Sequence, residues 1–171
     1  GDQAFRSAIF HAINTQNIVD VVTGGAATPA TQFFAKKLLG KDYDGVVTFD
    51  AYDPELAKEE IAKTETDLSQ TFTLTASDEA GAQCAQCIQQ DLAAIGINVE
   101  VESVDVNTWS SKLMDQTLQM FINALGTDML AADSFIQLLL GDTSVYYYPI
   151  SDELKAKIAE MNAIPSVVAR H

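Results

Sequence analysis

The residues best equipped for chemistry are Cys84 and Cys87, set as Cys84-Ala85-Gln86-Cys87. A CxxC pair works as a redox dithiol where a helix begins, because the helix dipole lowers the thiol pKa there. It serves as half of a zinc site when further Cys or His ligands lie near. The histidines, His11 and His171, have no ligand spacing to the pair. Both thiols fall several residues inside an amphipathic helix, so we read them as small buried apolar side chains. A redox or metal module on this pair is the minor alternative. Gly24-Gly25-Ala26-Ala27 lacks GxGxxG and any following Lys-Ser or Lys-Thr, so it reads as a helix end and not a phosphate loop. Acidic pairs such as Glu59-Glu60 and Asp152-Glu153 read as solvated helix faces. No serine stands in a GxSxG setting and His11 has no visible acid partner, so no nucleophile triad is expected. Tyr146-Tyr147-Tyr148 could stack a ligand, but such a run more often packs an edge or a loop.

Asp128 and Trp109 stand apart from these. Asp128 follows an apolar segment, Leu118–Leu125, that reads as a strand in the centre of a sheet. Ligands of open α/β sheets gather beyond the carboxyl ends of strands, where a carboxylate can hold a cationic group. The alternative for Asp128 is a helix cap or a loop carboxylate. Trp109 either lines a pocket or packs in a core.

The elements that would position these residues follow from periodicity and caps. Asp2 caps a first helix with a stripe of Phe5, Ala8, Ile9, Ala12 and Ile13. A short helix over 16–22 ends at Gly24-Gly25. Residues 26–47 carry a helix expected around Phe33–Leu39 and a turn at Asp44-Gly45. Asp53-Pro54-Glu55 combines a cap, a proline suited to the first helical position and an acid at the positive end of the dipole, and starts a helix to about Thr64. Thr71–Thr75 and Asn98–Glu102 alternate as half-buried strands. The helix between them, 79–95, puts Cys84, Cys87, Ile88, Leu92 and Ile95 on one face and stops at Gly96. Strand, helix, strand predicts a parallel pair with a right-handed crossover. Trp109–Met114, Asp133–Leu140 and Ser151–Met161 read as further helices.

Composition bounds the function. The chain has 171 residues, 47% hydrophobic and 20% charged, which suits one domain with a core of its own. Lys plus Arg number 10 against 24 Asp plus Glu, a formal charge of −14. Phosphate binding needs a basic surface, so nucleic acid is not expected as a partner. Docking on an anionic membrane by charge is disfavoured for the same reason. No stretch approaches the roughly 20 apolar residues that span a bilayer. The segment Gly1-Asp2-Gln3-Ala4-Phe5 does not read as a signal peptide, and an excised fragment of an exported protein would look the same.

In this order the motifs become recognisable. Phe5-Arg6-Ser7-Ala8-Ile9, Ala12-Ile13-Asn14 and Ile18-Val19 resemble a "vRqAi..Aid...iv" segment. Gly24-Gly25-Ala26-Ala27 with Pro29 is similar to "gGlA.pa". Tyr52-Asp53-Pro54-Glu55-Leu56-Ala57-Lys58 is very close to "yDpekAk". Ile88-Gln89-Gln90-Asp91-Leu92 with Ile95–Val101 matches "iq.dL..iGI.vev", and Trp109 with Leu113 falls at "W...l". Over about residues 2–140 the chain resembles the second lobe of extracellular solute-binding proteins of the oligopeptide, dipeptide and nickel class, which serve ABC importers.

That resemblance implies an α/β, periplasmic-binding-protein-like class II lobe with a mixed sheet flanked by helices. Residues 1–171 would form a single lobe II, with lobe I of the same parent chain absent. The implied function is binding of a solute, most simply a short peptide, outside the cell and its delivery to an ABC permease in the membrane. It implies no catalysis, cofactor or metal. A receptor or structural role for the same fold is the alternative. The implied location is extracellular or periplasmic, and a membrane-anchored lipoprotein is open for the full-length parent. In peptide-binding members "gW..D....sf" follows the strand before the cleft, and its Asp holds the ligand ammonium. Ala124-Leu125-Gly126-Thr127-Asp128 and Ser134-Phe135 align with it. Asp128 matches the acid, and Leu125 replaces the tryptophan. The expected ligand-binding residues are therefore Asp128, Trp109, Leu125 and Gly126. Basic residues that bind a peptide carboxylate in some members find no match between Gln116 and Ala124. The ligand itself, whether peptide, nickel complex, sugar or opine, is not disclosed by the resemblance.

Overall fold

The computed structural model describes residues 2–31, 52–124, 132–142, 144–146, 148 and 150–164. They fall into two compact units, unit 1 before residue 125 and unit 2 after it. The expected helix around Phe33–Leu39 and the turn at Asp44-Gly45 lie outside the described residues.

Unit 1 opens with α1 (Gln3–Ala12) and α2 (Thr15–Thr23). Asp2 and Asn14 cap them, accepting from the backbone N–H groups of Phe5 (3.2 Å) and Asn17 (3.0 Å). Gly24 ends α2 at φ 60°, ψ 29°, a left-handed cap that glycine adopts without a Cβ clash. Helix α3 (Pro54–Ile61) starts at Asp53, whose carboxylate accepts from Leu56 N (2.9 Å). It packs along α1, where Ala8, Ala12 and Ala57 are small enough for close approach and are buried.

Strand β1 (Thr71–Ala76), helix α4 (Glu79–Ala93) and strand β2 (Asn98–Ser103) form the expected strand–helix–strand unit. β1 and β2 pair in parallel over their whole length, Thr71 opposite Asn98 through Ala76 opposite Ser103. Gly96, at φ 85°, turns the chain from α4 into β2. Helix α5 (Val106–Met114) follows, capped by Asp105, and leads to β3 (Met120–Phe121). β3 pairs in parallel with the other edge of β1, so the strand order is β2-β1-β3. All strand pairings among the described residues are parallel.

This order corrects one expectation. The apolar segment 118–125 predicts a central strand, but among the described residues β1 is central and β3 is a short neighbour. Apolar character there comes from packing: Leu118 is buried, and Phe121 meets Trp109 edge to face, with centroids 5.6 Å apart. Run length alone does not separate these two causes of burial.

Alternation along β1 divides the residues between two faces. Phe72 and Leu74 join Val99, Ile97, Leu92, Ile88 and Ala85 in the core against α1, α3 and α4. Leu92 and Ile97 are fully buried, each contributing about 1.5–3 kcal/mol relative to exposure. On the opposite face Thr75 is buried and donates to Glu102 (2.8 Å), which also accepts from Lys112 of α5. The Lys112 ammonium and the Thr75 hydroxyl hold the Glu102 carboxyl below its usual range.

Unit 2 comprises α6 (Ala132–Leu140) and α7 (Asp152–Ala163), close to the expected boundaries. Ser151 caps α7 by accepting from Leu154 N (3.1 Å). The Ser144 hydroxyl donates to the Leu138 carbonyl (2.8 Å) and closes the end of α6. Leu139, Tyr146 and Ile158 are the buried apolar residues of this unit among those described.

Asp2 is also a latch. Its second carboxylate oxygen accepts from the Thr64 hydroxyl, Glu65 N (2.9 Å), Thr66 N (3.1 Å) and the Thr66 hydroxyl (3.0 Å). These bonds, led by that from Thr64, hold the carboxyl far below its ordinary value. A depressed folded-state pKa stabilises fully above the unfolded value near pH 4 and is lost as pH falls further. Asp2→Asn should therefore lower Tm by several degrees at neutral pH and lose part of the wild-type acid sensitivity below about pH 4. Thermal melts across that range check this, and a parallel pair of pH profiles would contradict it.

Candidate functional site

The strand order β2-β1-β3 places a neighbour on each edge of β1, so the chain leaving β1 enters α4 and returns on the side away from β3. A crevice is expected beyond the carboxyl ends of such strands. Unit 1 has a cleft of about 240 Å³ there. Ile18, Val19, Val22 and Thr23 of α2 form one wall. Ser77 and Asp78 from the β1–α4 turn, with Ala80, Gly81 and Cys84 of α4, form a second. Ile122 and Ala124, just after β3, form the third.

Gly81 sets the width of this cleft. A Cβ at that position would meet Asp78 Oδ1 at 3.2 Å, Ala76 Cβ at 3.4 Å and Ile122 Cγ2 at 3.5 Å. The first turn of α4 thus lies within van der Waals reach of the ends of β1 and β3, and a Cβ there would crowd only the capping carboxylate of Asp78. Among the described residues Asp78 is the only charged one lining the cleft, and its carboxylate accepts from Gly81 N (2.6 Å) as the cap of α4. Among the described residues no lysine or arginine lines it. The described lining therefore suits an apolar group.

The chemistry of the lining is that of binding. Cys84 is half-buried in the wall and Cys87 is buried behind it. Burial, and then the neighbouring Cys87 sulfur, push the Cys84 thiol above its ordinary pKa, away from the reactive thiolate. Both cysteines lie within α4 and not at its start, as the periodicity predicts. Among the described residues no group of three His, Cys, Asp or Glu could hold a metal ion.

The residues singled out from sequence are not brought together here. Trp109 is buried beneath α5 and contacts Phe121, which lies opposite Thr75 and so faces away from Ile122 and the cleft. Its indole N–H has no hydrogen-bond partner among the described residues. Asp128, Leu125 and Gly126 lie outside the described residues. The cleft residues Ser77, Asp78, Gly81 and Ile122 were not anticipated. The available signal was Ser77-Asp78, which stands at the carboxyl end of an alternating strand and at the cap of the following helix.

Residues 1–147 match the family described as bacterial extracellular solute-binding proteins, family 5 middle. The chain belongs to this family. Among curated relatives of this family 5 segment, di/tripeptide-binding protein 2 of Pseudomonas aeruginosa is 32% identical over 150 residues, 84% of this chain and 28% of the relative. The peptide transport periplasmic protein SapA of Salmonella typhimurium is 25% identical over 147 residues, 83% of this chain and 26% of that protein. The segment thus spans about a quarter of the length of these two relatives. Among solved structures, the periplasmic binding protein DppA of Helicobacter pylori, in complex with peptide STSA, superposes with a TM-score of 0.81 at 22% identity. That match covers 98% of this chain and 34% of that one. NikA of Staphylococcus aureus, in complex with Ni(L-His)2, gives 0.78 at 23%, covering 98% and 37%. These superpositions confirm the α/β, periplasmic-binding-protein-like fold expected from sequence. Among the described residues, no helix is long and apolar enough to cross a membrane.

Two outcomes follow from this geometry. Gly81→Leu should lose about 1–3 kcal/mol in denaturant titration through overpacking, and should fill the cleft. With Ellman's reagent at about pH 8, Cys84 should react more slowly than a free thiol and Cys87 only on unfolding. Rapid reaction of either under acidic conditions would favour the redox alternative instead.

Proposed function

We propose that this chain is one lobe of a two-lobe solute-binding protein and that it contributes one wall of the site for a short peptide bound for import. The observation that carries this is an apolar cleft, free of basic side chains among the described residues, at the carboxyl ends of β1 and β3 in a family 5 chain. An apolar side chain of the ligand fits against Ile18, Val22 and Ile122. Asp128 follows β3 in sequence and is proposed to hold the ligand ammonium through a charge-assisted hydrogen bond. Leu125 and Gly126 are proposed to border the ligand on the same segment. The names of relatives that bind or transport peptides support the ligand class.

The work of such a protein is differential stabilisation of a closed, liganded state, with no bond made or broken. The second lobe would belong to the rest of the parent chain, and a permease of the ABC class would receive the solute at the membrane from the extracellular or periplasmic side. One lobe alone presents half of a site, so the isolated chain should bind peptide weakly or not at all. A receptor or structural role for the same lobe predicts no ligand from these classes.

Thermal shift on the full-length parent against di- to pentapeptides, nickel chelates and oligosaccharides tests the proposal. A peptide hit is expected. Loss of one charge-assisted hydrogen bond costs about 1.5–3 kcal/mol, so Asp128→Asn should weaken it by roughly ten- to a hundredfold. A hit from nickel chelates alone would overturn the ligand class. Peptide binding insensitive to Asp128→Asn would move the ammonium site elsewhere. No shift from any class would favour the receptor role.

A further inference from the structure

Cys84 and Cys87 are free thiols that take no part in the peptide site proposed above beyond the apolar surface of Cys84. They stand three residues apart inside α4, so they are neighbours on one face of the helix, with about 5–6 Å between their Cβ atoms. A disulfide needs Cβ atoms about 3.5–4.5 Å apart. The regular turn of α4 therefore holds the pair short of that bond and keeps two thiols side by side. A single metal ion spans the gap instead. Metal–thiolate bonds are about 2.3 Å long, so one ion bridges two sulfurs roughly 4–5 Å apart, within reach of rotation about each Cα–Cβ bond.

The surroundings choose the ion. Cys84 is half-buried and lines the unit 1 cleft, which gives an ion a way in. Cys87 is only 6% exposed, and an ion far smaller than Ellman's reagent reaches it by way of Cys84. Among the described residues no third His, Cys, Asp or Glu completes a cluster, so the four-ligand shell of structural zinc is not assembled here. Asp78, the charged residue of the described lining, is engaged as the cap of α4. Two thiolates in an apolar wall suit a soft cation content with two ligands, and thiolates select Cu(I). On binding, both S–H bonds break, both protons leave to solvent and two Cu–S bonds form, with no change of oxidation state. The resulting single negative charge is tolerated because Cys84 is not fully buried.

We propose that Cys84 and Cys87 form a two-coordinate site for a soft monovalent cation, Cu(I), in the wall of the unit 1 cleft. The site rests on the spacing within α4 and is independent of the peptide reading. Competition for Cu(I) between the reduced, whole 171-residue chain and the chromogenic chelator bathocuproine disulfonate, without oxygen, tests it. One ion per chain is expected. Burial pushes the Cys84 thiol above its ordinary pKa, so binding should strengthen as pH rises. From about pH 6 to about pH 8 the apparent affinity should climb roughly a hundredfold per pH unit, because two protons are released, against about tenfold for one thiol. Cys84→Ser and Cys87→Ala should each weaken binding by about a hundredfold or more. Circular dichroism of each variant separates loss of the site from loss of the fold, and the wild-type pH slope stands without either variant. Absence of Cu(I) uptake, two ions per chain, a one-proton slope, binding retained in both folded variants, or displacement of Cu(I) by equimolar Zn(II) would overturn the proposal.

Discussion

Parallel pairing on both edges of β1 is the constraint on which unit 1 depends. β1 gives Phe72 and Leu74 to the core on one face and the buried Thr75 hydroxyl to Glu102 on the other. Its backbone meets β2 on one side and β3 on the other, and the ladder extends past β3 through Ile122 N donating to the Thr75 carbonyl (2.9 Å). Two parallel neighbours force every connection to cross over the sheet, so helices must cover it. They also gather the carboxyl ends of the strands at one edge, where the cleft lies. A strand order without that arrangement would leave α2, the first turn of α4 and the segment after β3 with no common place to meet.

The close approach of α4 to that edge rests on a second, smaller constraint. The Asp78 carboxylate caps the helix, and Gly81 leaves room for that carboxylate where a Cβ would crowd it, with Ile122 just beyond. The same two residues thus terminate β1, start α4 and shape the cleft. Asp78 spends its charge on the helix it caps, so the cleft wall is apolar despite the chain's formal charge of −14. Part of that charge sits on exposed helix faces. The pairs Glu55–Lys58 and Asp152–Lys155 there lie within single helices and contribute little to stability. Global charge speaks to solubility and steering, while local geometry decides what a cleft accepts.

The two polar clasps of unit 1 differ in reach. Asp2 ties the start of α1 to the segment after α3 through four hydrogen bonds from Thr64, Glu65 and Thr66, while its other oxygen caps α1 at Phe5. Asp91 of α4 accepts from Asn14 N (2.9 Å) and fixes the joint between α1 and α2. Both join groups more than seventy or sixty residues apart in sequence. They hold the helical layer in place over the sheet, so that α2 stands where it can wall the cleft.

Much of the local structure was written in the sequence. Caps at Asp2 and Asp53, the glycine stops at Gly24 and Gly96, and the alternation of 71–75 and 98–102 each report a short-range physical preference. The family resemblance also followed from motif order, because the apolar periods and caps that carry it are local. The position of β3 was not legible, since an apolar run is the same whether a segment is central in a sheet or packed against a tryptophan. Nor was the cleft, whose walls come from three separated stretches around Val19, Gly81 and Ile122. The sequence determined where helices and strands begin and end, through hydrogen bonds and steric limits acting within a few residues. The tertiary structure alone decided which edge of β1 receives β3, that Trp109 faces away from the cleft, and that Gln137 meets Asn162. Those outcomes depend on contacts between residues far apart in the chain, and no local preference encodes such a contact.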